Sequence, residues 1–209
     1  MTTTNLFSCF GDIIELDLPK WDIVRTLNIL NNHNGWKRYN PRKEINRYGL
    51  SITSIDGGYS GVPDLDSLLE YNKENGTNLS EKDFKTLTPI VDDIPELKEI
   101  IRLFGDAVHR SHFLRLDAGG FFPPHRDNGK QLPSQNMRII VPLVNVGRRE
   151  WKWIQDGQLV RFDAGHAYCI NTTKDHCLFS FVNGCIMLVL NIQAFPSTIG
   201  TILNHLAVK

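Results

Sequence analysis

The sequence has no long apolar run, no excess charge of either sign, no internal repeat and no closely paired cysteines. Its 23 basic and 23 acidic side chains cancel. A nucleic-acid binder shows a basic excess or a basic stripe. The short clusters Lys37-Arg38 and Arg148-Arg149 read instead as solvated faces, so no nucleic-acid partner is expected. The longest strongly apolar stretch, Cys185 to Leu190, is far short of the ~20 residues that span a bilayer. The N-terminal stretch lacks the basic-then-apolar order of a secretory signal. No membrane partner is expected, and a cytoplasmic location is. The cysteines Cys9, Cys169, Cys177 and Cys185 form no CxxC pair, which fits free, mostly buried thiols in a reducing compartment. The Asn-x-Ser/Thr matches at Asn75, Asn78 and Asn171 then read as chance.

What is present is ordinary globular composition, 41% hydrophobic and 22% charged over 209 residues. Such a chain buries a core without disulfides or structural metals. Its two halves differ in texture. Residues 1–107 read as a mixed α/β cover. Ile13 to Leu18 is strand-like, and Pro19 to Leu30 is helical, with Ile23, Val24, Leu27 and Leu30 as its apolar stripe. Residues 31–48 read as loop, Leu50 to Ile55 as a strand and Leu65 to Asn72 as a short helix. Pro95 to Phe104 is a helix stopped by Gly105.

From residue 108 to 194 short strand-like runs follow one another. They are His112–Leu116, Phe121–His125, Arg138–Asn145, Trp151–Gln155, Gln158–Phe162, His166–Asn171, Cys177–Val182 and Cys185–Ile192. Asp156-Gly157 is a type I′ hairpin signal. Eight short strands in so few residues predict a mainly β fold with flanking helices, a double-stranded β-helix or jelly roll of cupin-like kind. Residues 195–209 read as a C-terminal helix, and no linker divides the chain.

The chemistry begins at Phe121-Phe-Pro-Pro-His125-Arg-Asp127. Positions two apart on a strand share a face, so His125 and Asp127 converge while Arg126 points elsewhere. Two imidazoles and one carboxylate on one face of an octahedron form the triad of non-heme Fe(II) oxygenases. Of seven histidines, His166, His176 and His205 follow His125. His205 lies in the final helix and His166 in a turn. His176 stands at the mouth of an apolar strand and is the expected third ligand.

These stretches resemble the 2-oxoglutarate- and Fe(II)-dependent oxygenases, most closely the aspartyl/asparaginyl β-hydroxylase-like group with its proline-hydroxylase relatives. The resemblance runs from Arg115 to Ile192. Leu116 to Asp127 is similar to the family's glycine turn and HxD motif. Arg138-Ile-Ile-Val-Pro-Leu143 followed by Asn145 resembles its arginine-led strand. Asp163 to Asn171 resembles the segment before the distal histidine, and His176-Cys-Leu-Phe-Ser180 that histidine and its strand.

The resemblance implies one oxygenase domain, 1–209. It implies Fe(II) on His125, Asp127 and His176, with 2-oxoglutarate and dioxygen as cosubstrates. Arg138 would contact the 2-oxo acid, and an amino-acid, peptidyl or other small polar substrate would be hydroxylated. One departure stands out. The family's second arginine, the anchor of the far carboxylate, falls near Cys185, where no arginine occurs. Arg115, Lys152 or Arg138 itself could substitute. The departure leaves two other readings open: a cupin-like metalloenzyme that does not use 2-oxoglutarate, and a non-catalytic jelly-roll binding protein.

Overall fold

The computed structural model describes residues 2–127, 136–144, 146–147 and 149–207. Asn145, the expected end of one strand, and Arg148 of a basic pair lie outside them. The N-terminal part runs α1 (Thr3–Phe10), β1 (Ile13–Leu16), α2 (Ile23–Asn32), β2 (Lys37–Arg38), β3 (Arg47–Ser51), β4 (Thr53–Ser54), α3 (Leu68–Asn75), β5 (Thr86–Leu87), α4 (Ile90–Asp93) and α5 (Pro95–Phe104). There follow β6 (Val108–Leu116), β7 (Phe121–His125), β8 (Asn136–Pro142), β9 (Trp151–Gln155), β10 (Gln158–Val160), β11 (Ala167–Ile170), β12 (His176–Ser180), β13 (Cys185–Gln193) and α6 (Pro196–Asn204).

A seven-stranded sheet in the order β1-β11-β8-β13-β6-β3-β2 faces a four-stranded sheet in the order β10-β9-β12-β7. The fold is a mainly β jelly roll with several helices. The large sheet is buried on both faces, so its strands read as nearly continuous apolar runs. Along β13, Cys185, Met187 and Val189 point between the sheets, while Ile186, Leu188, Leu190 and Ile192 point to the helices. In β8, Ile140 points inward, and Met137, Ile139 and Val141 point outward. The chain thus builds two cores on one sheet. The outer core packs against α1, α2, α4, α5 and α6 through Leu6, Leu30, Ile90, Leu97 and Ile202. The inner one fills the jelly roll with Trp151, Trp153 and Phe162.

Local signals account for most elements. Asp22 accepts the Arg25 amide at 3.0 Å and starts α2. Pro95 opens α5, and Gly105 ends it at positive φ. Asp156 and Gly157 both take positive φ in the β9–β10 hairpin.

Several boundaries differ from expectation. Helix α2 begins four residues after Pro19, and Val24 is 82% exposed. Its buried stripe runs through Thr26 and Leu30, with Ile23 and Leu27 at its edges. Val24 lies about 100° round the axis from Ile23, which puts it in solvent. The stretch expected as loop contains β2 and the start of β3, held by Lys37↔Gly49 pairing. Strand β6 starts four residues early, because the polar run His109-Arg110-Ser111 joins the sheet. Its partner β13 shifts register between Val189 and Asn191. Helix α6 ends at Asn204, shorter than the expected 195–209, and Leu206 bridges back to Leu16; residues 208 and 209 of that expectation lie outside the described residues. No helix among the described residues is long and apolar enough to cross a membrane.

Candidate metal centre

The site forms where β7 meets β12, with His125 and His176 as direct cross-strand partners. The turn before β7 is tightly set. A Cβ at Gly120 would strike the carbonyl oxygen of Asn46. After β7, the Asp127 amide donates to the Thr172 carbonyl at 2.9 Å, fixing the carboxylate beside the imidazoles. Between the two ligand positions, Arg126 turns outward and makes a bidentate pair with Asp175 at 2.7 and 2.6 Å. It thereby ties the HxD segment to the residue preceding His176.

Both imidazoles are set the same way. Nδ1 of His125 lies 2.7 Å from the Pro123 carbonyl, and Nδ1 of His176 lies 2.9 Å from the Lys174 carbonyl. A carbonyl can only accept, so Nδ1 carries the proton and Nε2 turns its lone pair to the site. Trp153 stacks on His176, at 7° and 5.5 Å between centroids. Phe122 stacks on His125 at 28°. One ligand atom from each of His125, Asp127 and His176 falls within 4.8 Å of the others. Two imidazole nitrogens and a carboxylate oxygen, open to a cavity on the far side, suit a non-heme ferrous ion.

The carboxylate is divided between two neighbours. Asp127 Oδ1 lies 3.6 Å from His125 Nε2, and Oδ2 lies 2.6 Å from Arg138 Nη1. Arg138 Nε donates to Asn191 Oδ1 at 2.9 Å, and Asn191 Nδ2 donates to the Arg110 carbonyl at 2.6 Å. Burial pushes the Asp127 carboxyl up, but Arg138 and the two imidazoles together bring it below the usual carboxylate range. Burial lowers His176 despite the Lys174 carbonyl and Asp127, which favours the neutral imidazole a metal requires.

Two cavities adjoin the triad. One, of about 90 Å³, runs between the sheets. The other, of about 220 Å³, opens beside Asp127 and Arg138 and is polar, with Tyr39, His109, His112, Asn136, Thr172 and Asn191 on its wall. His109 is buried, with the Asn136 side chain as the hydrogen-bonding neighbour of its ring. Burial pushes His109 down to about 4 and His112 down to about 3.

The structure brings His125, Asp127, His176 and Arg138 together. It removes Arg115 and Lys152 as anchors of a far carboxylate. Leu114 and Leu116 face the interior, so Arg115 between them faces away, stacked over Trp36 and Tyr48 and 3.6 Å from Asp117. Lys152 alternates with the buried Trp151 and Trp153 and points outward. Cys185 does face inward, with Ser180 Oγ at 3.2 Å from its sulfur. His166 pairs with Glu15 at 2.8 Å, and His205 caps α6. Cys177 lines an outer groove on the face opposite His176. Tyr39, His109, His112 and Asn191 were not anticipated as site residues. For His112 a signal existed, since it shares the period-2 face of Leu114 and Leu116.

No family model matches the sequence, and no curated protein does. Solved structures match its fold. An oxidoreductase of the 2OG-Fe(II) oxygenase family from Burkholderia pseudomallei aligns with a TM-score of 0.51 and 10% identity, over 90% of this chain and 87% of its own. An RmlC-like cupin from Shewanella frigidimarina aligns with a TM-score of 0.30 and 13% identity, over 44% of this chain and 71% of its own. KdgF from Halomonas sp. aligns with a TM-score of 0.30 and 12% identity, over 43% of this chain and 71% of its own.

Proposed function

We propose that this chain is a non-heme Fe(II) oxygenase that consumes a 2-oxo acid and dioxygen and hydroxylates an amino-acid, peptidyl or other small polar substrate. The observation that carries this reading is the His125–Asp127–His176 group, with both imidazoles committed through Nδ1 and their Nε2 atoms free. The Burkholderia protein of the same fold, named for 2OG-Fe(II) oxygenases, supports it, as does the sequence resemblance, which names 2-oxoglutarate as the acid.

A ferrous ion, when bound, supplies chelation of the 2-oxo acid and activation of dioxygen. The protein does the rest. Asp127, held by Arg138 and by the Thr172 carbonyl, keeps one carboxylate oxygen aimed at the ion. Arg138 stands where it can also meet the chelating carboxylate of the acid. Trp153 and Phe122 hold the imidazole planes and exclude water from that side. The polar cavity at Tyr39, His109 and Asn136 offers donors and acceptors to a small polar substrate.

Anaerobic reconstitution tests the reading. One Fe(II) per chain is expected, with a weak visible charge-transfer band on adding a 2-oxo acid. His176→Ala should lose both. Bound iron without a band for any 2-oxo acid would favour a cupin-like metalloenzyme of another reaction class. The lack of a second arginine near Cys185 already leans that way. No bound iron would leave a jelly-roll binding protein.

A further inference from the structure

Arg47, the first residue of β3, is a buried cation without a counter-ion. It is 4% exposed. Its Nη1 donates to the Phe121 carbonyl at 3.2 Å, and its Nε is buried with no acceptor among the described residues. The guanidinium carbon lies 4.4 Å from the Phe122 ring centroid and 5.5 Å from that of Tyr39. Among the described residues no carboxylate pairs with it, and burial pulls its pKa below the usual arginine range with only Tyr39 acting against that. The residues outside that set include no aspartate or glutamate. An unpaired buried charge is costly, and the cost is offset once an anion meets it.

Register places Arg47 on the inner wall of the jelly roll. It pairs with Leu116, and Leu116 pairs with Cys185. Both of these face inward. Directly paired residues share a face, so Arg47 faces inward as well. It stands at the depth of Cys185, two strands across the sheet, and that is the depth at which the resembling family places its anchoring arginine. The rings that cover its guanidinium, Tyr39 and Phe122, line the inner cavity together with His125, Asp127 and His176. Phe122 in turn stacks on His125 with 6.2 Å between centroids, so one ring separates the guanidinium from a metal ligand. Leu114, Ile140, Leu178 and Met187 complete the wall, which suits a methylene stem between two charged ends.

A 2-oxo acid that chelates a metal does so through its carboxylate and its keto oxygen, and the rest of the molecule extends away from the ion. A monocarboxylate would leave Arg47 unpaired. A dicarboxylate would neutralise it, with the Tyr39 hydroxyl and the His112 ring as further donors on the same wall. We infer that Arg47 binds the remote carboxylate of a dicarboxylic 2-oxo acid, supplying from β3 the arginine that β13 lacks. This rests on the oxygenase reading above. Tyr39 and Phe122 are half-buried, and either ring turns aside to admit the carboxylate.

The protein is loaded anaerobically with Fe(II) and titrated with 2-oxoglutarate and with 2-oxopentanoate, which carries a methyl group in place of the second carboxylate. The charge-transfer band gives a dissociation constant for each. The parent should bind 2-oxoglutarate roughly tenfold or more tightly than the monoacid. Arg47→Met should weaken 2-oxoglutarate by roughly thirtyfold or more, as when one partner of a buried charge pair is removed, and leave 2-oxopentanoate within about threefold. Without ligand, the variant should be no less stable to urea than the parent, because an unpaired charge has left the interior. If Arg47→Met does not fold, Arg47→Lys takes its place. It keeps the charge but loses the planar fork, and should weaken 2-oxoglutarate alone.

Equal binding of the two acids by the parent would overturn the inference and leave the oxygenase reading standing. So would a preference for 2-oxoglutarate that survives substitution of Arg47 unchanged, since the remote carboxylate would then be held elsewhere. Iron bound with no band from either acid would instead sink the oxygenase reading, and this inference with it.

Discussion

At the scale of single residues, Arg138 has a second duty beyond any cosubstrate. It holds the oxygen of Asp127 remote from His125, and Asn191 in turn holds Arg138. Partners that orient a metal ligand in this way typically govern 10–100-fold in metal affinity. Lysine cannot make both bonds, because it lacks the planar fork. Arg138→Lys should therefore weaken Co(II) binding by roughly 10–100-fold in an anaerobic titration. Unchanged affinity would show that Asp127 orients itself. His125 and Asp127 were legible in the sequence because a strand's period of two puts them on one face. His176 was legible from its place at a strand mouth. Asn191 was not, because a lone amide in an apolar strand has many uses, and only pairing with β8 sets it beside Arg138. The same holds for His109 and His112, whose shared cavity depends on which strands flank β6.

At the scale of elements, the site rests on how the turn before β7 delivers that strand to β12. Gly120 lies against the Asn46 carbonyl, and its amide donates to Asp117 while its carbonyl accepts from Ser180. Gly120→Ala forces backbone apart and should cost about 1–3 kcal/mol, read as a lower urea midpoint. A midpoint within error of the parent would mean that the turn yields freely. The Arg126–Asp175 pair joins the same two segments, yet both side chains are more than half exposed. Exposed pairs contribute little, so Arg126→Ala should move stability by less than about 1 kcal/mol in the same assay. The strands of the jelly roll were legible from their β-branched and aromatic runs, β7 and β9 to the residue. Boundaries failed where polar residues enter a sheet, as at His109–Ser111. The pairing of β1 with β11 was beyond reach, because it joins Ile13 to Ile170 and no local signal encodes so distant a partner.

At the scale of the whole molecule, the large sheet separates an apolar outer core from an inner one that turns polar at its mouth. Burying imidazoles at that mouth makes folding stability depend on pH. An unfolded chain protonates its histidines near 6.5, whereas the fold holds His109 neutral down to about 4 and His112 down to about 3. Between those limits the unfolded form binds more protons. Their contribution is fully present above pH 6.5 and is lost as the pH falls through that window. Asp64 acts in the opposite sense. Burial, with Asp56 nearby, raises its carboxyl from 3.8 to about 6, so the folded form keeps a proton there and stability declines as pH rises through that range. Two imidazoles outweigh one carboxyl, and the net slope is loss of stability in acid. Urea unfolding at pH 7.5 and pH 5 should show that loss in the parent protein. In His109→Gln the loss should be smaller by about 2 kcal/mol, since 1.5 pH units below 6.5 carry that much linkage at one group. Equal losses in parent and variant would mean that His109 takes up a proton within the fold.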